Sequence, residues 1–182
     1  MPLSHLRKLI FTAVCAALCI ALPVAFHAVP NAGNIFLPLH IPVLLCGLIC
    51  GIPYGLACGL MGPVLSFLCS GMPPAAALPS MTVECAVYGL VMGLMMRLLR
   101  TRSAVADVYI SVITAMLAGR ILAGIANALI FTPGISALAW VASALVTGIP
   151  GICIQLVVIP AVFFALTRAR LIPRRYCQEV SP

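Results

Sequence analysis

Long apolar runs, not alternation, organise the chain. They extend over Leu9 to Phe26, Leu39 to Leu68, Met81 to Leu99, Asp107 to Phe131 and Ile135 to Leu166. Between them lie clusters of Pro, Gly, Asn and Ser at 27–38, 70–80 and 132–135, which read as loops. A membrane-crossing helix needs about 20 apolar residues, so most runs supply one span each. The run from Leu39 to Leu68 holds 30 residues, too many for one span and too few for two with a generous loop. It is broken at Gly51-Ile52-Pro53-Tyr54-Gly55, which predicts two short helices joined by a tight turn. Glycines 47, 51, 55, 59 and 62 along this pair predict close packing. The pattern therefore predicts an all-α membrane protein, a six-helix bundle with short second and third helices. The expected helices span about 9–27, 39–52, 54–69, 81–99, 107–131 and 136–167, in one integral membrane domain covering residues 1–182. Gly148, Pro150, Gly151 and Pro160 predict a kinked or tilted sixth helix. Residues 168–182 form a basic tail.

Composition strengthens this reading. Of 182 residues, 64% are hydrophobic and 7% charged, against about 25% charged in soluble domains. The mean hydropathy is +1.24. The net charge of +7 does not indicate nucleic acid, because the basic residues sit at the edges of apolar runs, where membrane anchoring explains them. The first run could be a cleaved signal, but Ala25-Phe26-His27 lacks the small-x-small pattern of a cleavage site, so a retained helix is expected. Nine cysteines lie almost wholly within apolar runs without a CxxC pair, which suits buried packing better than metal binding or disulfides.

Six helices put both termini on one side. Arg7, Lys8, Arg97, Arg100, Arg102, Arg168, Arg170, Arg174 and Arg175 then share that side, nine of the ten basic residues. The intervening loops carry no charge, so both termini are expected to be cytoplasmic.

Candidate chemistry is sparse. With the charges at the span edges and in the tail set aside, only Glu84 and Arg120 remain inside the apolar segments, and ionisable residues at membrane depth mark functional sites or mutual pairs. Tyr88 follows Glu84 by one turn on the same face, and Asn127 shares the Arg120 face two turns on. His40 and Trp140 open the second and sixth helices near the same surface, so these six residues are candidate ligand contacts. Gln155 lies deeper and is expected to bond to a neighbouring helix. No His-Glu-x-x-His, Gly-x-Ser-x-Gly or Walker sequence is present, and one membrane carboxylate cannot form an acid-base pair. An enzyme, a cofactor or a metal is not expected, nor are the repeated polar rings of a channel.

The stretch Leu39-His40-Ile41-Pro42-Val43-Leu44-Leu45-Cys46-Gly47, the Gly51-Ile52-Pro53-Tyr54-Gly55 turn, Gly59 and Pro63, the Gly71-Met72-Pro73-Pro74 loop and Glu84-x-x-x-Tyr88-Gly89 resemble the substrate-binding S components of energy-coupling factor transporters. The resemblance implies a prokaryotic cell-membrane protein that captures a water-soluble vitamin outside and topples to release it inward. It implies a transmembrane coupling subunit and two cytoplasmic ATPases as partners. Ala13, Ala17 and Ala21 are similar to the small-residue motif that docks such proteins on the coupling subunit. A free Arg120 favours a carboxylate such as pantothenate. An Arg120 paired with Glu84 favours a neutral or zwitterionic ligand such as a B6 vitamer or a corrinoid. The competing class is a structural or assembly membrane protein without a ligand.

Overall fold

The computed structural model describes residues 3–25, 32–132, 134 and 136–172. The basic tail beyond Ile172 and part of the first expected loop lie outside the described residues.

The described chain is helical: α1 (His5–Ala25), α2 (Ala32–Phe36), α3 (His40–Cys50), α4 (Ile52–Ser70), α5 (Leu78–Leu98), α6 (Ala104–Ala126) continued by a π turn (Asn127–Phe131), and α7 (Ala137–Arg168). Among the described residues, five helices are long and apolar enough to cross a membrane, and α3, apolar but with 11 residues, is shorter. The expected bundle is there, with three differences. The loop at 27–38 contains the short helix α2. The expected five-residue turn contracts to Gly51 alone, whose φ of +88° suits glycine, because Ile52-Pro53 already forms the first turn of α4, where proline lacks only an orphan N–H. Consequently α4 reaches 19 residues, a full span and not a short helix.

α7 is one 32-residue helix with Pro150 and Pro160 inside it. At 1.5 Å per residue it is about 48 Å long, more than the ~30 Å hydrocarbon thickness, so it must tilt or project. α6 starts where the Ser103 hydroxyl accepts from the Ala106 amide. Asp107, in the first turn of α6, accepts from the Thr101 amide and hydroxyl at 3.1 and 2.7 Å and so fixes the α5–α6 connection.

Helices α3, α4 and α5 meet backbone to backbone. A Cβ on Gly59 would run into the carbonyl of Cys85, and one on Gly47 would lie 2.7 Å from that of Gly89. Without a hydrophobic driving force between helices in lipid, such close approach supplies the packing. α1 rests on α3 and α4 through Cys15, Cys19 and Pro23, while Ala13, Ala17 and Ala21 lie together on its exposed face. His5 Nδ1 lies 3.0 Å from the Tyr54 hydroxyl, so the start of α1 and the Gly51 turn occupy the same end of the bundle.

Candidate substrate site

At the opposite end, where α5 and α7 begin, four segments enclose a cavity of about 340 Å³. Its lining comprises Leu37 and His40 before and at the start of α3; Ala77, Ser80, Met81 and Glu84 around the start of α5; Arg120 of α6; and Trp140, Ser143, Ala144 and Thr147 of α7. The four α7 residues recur at i, i+3, i+4 and i+7, so one helix face forms a whole wall.

The polar end of the cavity is built on Glu84, which is 5% exposed. Tyr88, one turn along α5, donates its hydroxyl to Glu84 Oε1 at 2.5 Å. Arg120 Nε lies 3.2 Å and His40 Nε2 3.7 Å from the same oxygen. The His40 ring also packs 5.1 Å from that of Tyr88. Arg120 of α6 lines the cavity, and its Nη1 donates to the Ala144 carbonyl at 3.1 Å, linking α6 to α7. Two glycines make room for this arrangement. A Cβ at Gly119 would overlap the Tyr88 ring, and one at Gly148 would lie 3.0 Å from Arg120 Nη2.

The polar groups are incompletely matched. Arg120 Nη2 and both His40 ring nitrogens are buried without a hydrogen-bond partner, and Arg120 Nε faces Glu84 without hydrogen-bond geometry. A buried polar group without a partner costs about 1–3 kcal/mol, so a ligand that supplies the missing partners gains that much.

The wall opposite is set by the turn before α3. Leu37 has φ +51°, a left-handed conformation that a leucine adopts at a cost. Its carbonyl accepts from the His40 amide at 3.1 Å and from the buried Gln155 Nε2 at 3.4 Å. Gln155 thus bonds to this turn and not to a helix. Gly151 of α7 lets the backbone of Ile35 and Phe36 approach, which seats α2 on α7.

Of the six residues singled out in the sequence, His40, Glu84, Arg120 and Trp140 line the cavity, and Tyr88 lies behind Glu84, bonded to it. Asn127 is placed elsewhere. It belongs to the π turn, where its carbonyl accepts the Thr132 amide at 2.7 Å and its side-chain oxygen faces the Thr132 hydroxyl at 3.3 Å. Its amide still bonds the Ala123 carbonyl, so it keeps the α-helical register with Arg120, but two turns further on it lies outside the cavity lining. Leu37, Ala77, Ser80, Met81, Ser143, Ala144 and Thr147 also line the cavity without having been singled out in the sequence. The i, i+3, i+4, i+7 spacing from Trp140 to Thr147 was the available signal.

Among the described residues, an apolar multi-helix bundle with a buried, partly unmatched ionic cluster facing a cavity is the arrangement of a helical membrane protein. The family follows from comparison with known sequences. Residues 7–163 match the family described as ECF transporter, substrate-specific component, and the chain belongs to that family. Members are substrate-binding transport subunits, not enzymes. No curated protein matches the chain.

Proposed function

We propose that this protein captures a small water-soluble micronutrient of the vitamin class from outside a prokaryotic cell. It then passes the solute inward through a transmembrane coupling subunit driven by two cytoplasmic ATPases. Family membership supports the transport role, and the single observation that supports capture at this site is the unmatched Glu84, Arg120 and His40 cluster facing the cavity. The basic residues at one end of the bundle support cytoplasmic termini and an outward-facing cavity. The exposed Ala13, Ala17 and Ala21 face supports docking on the coupling subunit, since small residues let a partner helix approach closely.

The 3.2 Å approach of Arg120 to Glu84 favours a neutral or zwitterionic ligand over an anion such as pantothenate, because the two protein charges already offset each other. A cavity of about 340 Å³ favours a compact solute of the B6-vitamer kind over a corrinoid. A second reading, the pantothenate-like anion, draws support from Arg120 Nη2, which has no protein partner. Arg120→Gln separates the two: unchanged affinity for an anionic vitamin removes the carboxylate-binding role. Co-purification of the tagged chain from its native membrane with a coupling subunit and an ATPase pair tests the uptake reading. Loss of the complex is expected in Ala13→Leu, Ala17→Leu and Ala21→Leu. Recovery of the chain alone under mild solubilisation would count for the structural-protein alternative.

A further inference from the structure

Resting on the uptake reading, we infer that Gln155 is a positioning residue for solute capture: from outside the cavity it holds the left-handed Leu37 turn, and through that turn it sets Leu37 and His40 in the cavity wall.

Two features that cost stability meet at one contact. Leu37 has φ +51°, where its Cβ crowds the backbone, and it stands before Pro38, a position that drives a residue towards extended backbone. Across from it lies Gln155 of α7, which is fully buried. The Leu37 carbonyl can only accept, so Gln155 turns Nε2 towards it at 3.4 Å, and that leaves Oε1 buried without a partner among the described residues. A buried acceptor without a donor is a penalty that an apolar side chain of the same size avoids. Backbone strain persists where the surroundings hold it, and it gathers where it shapes a site.

Here the surroundings are one face of α7, since Gly148, Gly151 and Gln155 follow at helical spacing. A Cβ at Gly151 would lie 2.7 Å from the Ile35 carbonyl, and one at Gly148 would lie 3.1 Å from Leu37 Cδ1, so the glycines make room for the turn. Gln155 supplies the bond that fixes it. The same Leu37 carbonyl accepts the His40 amide at 3.1 Å, at the start of α3. The His40 ring in turn packs 5.1 Å from that of Tyr88 and faces Glu84. Without the Gln155 bond, Leu37 relaxes towards negative φ, its side chain leaves the wall and His40 shifts from Glu84. Leu37 and His40 line the cavity and Gln155 does not, so Gln155 acts on the solute only through them.

The test compares Gln155→Met, which keeps the volume and removes the bond, with the parent full chain, both as they stand and with Leu37→Gly added; glycine takes a positive φ without the cost. Hydrogen exchange at the His40 amide reads the turn, titration with pyridoxine and with pantothenate reads capture, and melting reads stability. One net hydrogen bond is worth up to about ten-fold in an equilibrium. With Leu37 in place, Gln155→Met should therefore speed exchange at His40 by about three- to ten-fold and weaken whichever probe the parent binds by a similar factor. Its Tm should stay within about 2 °C of the parent or rise, because the unmatched acceptor has gone. With Leu37→Gly, the same substitution should change exchange by less than about two-fold. Unchanged exchange in the Leu37 protein overturns the inference, and so does an equal change in both backgrounds. A large fall in Tm or a failure to fold makes Gln155 a packing residue and overturns it as well. If the parent binds neither probe, the proposed ligands fall, and exchange still decides the role of Gln155.

Discussion

Replacing the charges of Glu84 and Arg120 singly and together isolates the interaction on which the site is built. At 3.2 Å and an effective dielectric constant of ~20, their attraction is about 5 kcal/mol, and removing one partner of a buried pair costs about 3–5 kcal/mol because the other is left uncompensated. Glu84→Gln and Arg120→Met should therefore each destabilise strongly. For a chain of this length, about 2–4 °C per kcal/mol gives a fall of roughly 6–20 °C in Tm. The double variant carries neither charge and should recover to within about 2 kcal/mol of the parent, since replacing both partners of a buried ion pair by uncharged residues of similar volume removes the uncompensated charge. Thermal unfolding in a single detergent, followed by Trp140 fluorescence, measures all four proteins. A double variant whose loss equals the sum of the single losses would show that the two residues act independently, and the reasoning would fail. Single variants within a degree of the parent would refute it equally.

Tyr88→Phe removes the 2.5 Å bond to a carboxylate and should cost about 1.5–3 kcal/mol in the same assay; an unchanged Tm would remove Tyr88 from the support of Glu84. Gly59→Ala forces a methyl against the Cys85 backbone and should cost about 1–3 kcal/mol, while Gly33→Ala, with nothing within 4 Å, should be close to neutral. Equal effects in the two would mean that close approach of α4 and α5 is not what holds the bundle. Gly148→Ala should displace Arg120 and Leu37 and weaken ligand binding more than it lowers Tm, as seen by titration and melting on one sample; the reverse order would make Gly148 a packing residue only.

Much of the fold was legible because lipid imposes long apolar runs with loops marked by Pro, Gly and Asn. The end of each run is less well marked. Pro53 looked like part of a loop, but at the second position of α4 it costs no hydrogen bond, and the helix extends through it. α2 was not visible because five residues carry no periodicity, and it is held by Gly151 of α7, far away in sequence. In the site, Glu84 and Arg120 stood out because charge is rare at membrane depth, and His40 and Trp140 because they open helices at the same end. Leu37 and Ala144 could not stand out: each acts through its backbone carbonyl, which any residue possesses. Asn127 keeps the α-helical register with Arg120 yet lies outside the cavity lining, because periodicity sets the face of a helix and not the extent of a pocket along it.

Native mass spectrometry of the detergent-purified chain tests capture in the cavity most directly. One small-molecule adduct per chain, lost in Glu84→Gln and in Ala144→Leu, is the expected result. An adduct that persists in both variants, or a chain that stays bare when released from its own membrane and supplied with a cell extract, would contradict it.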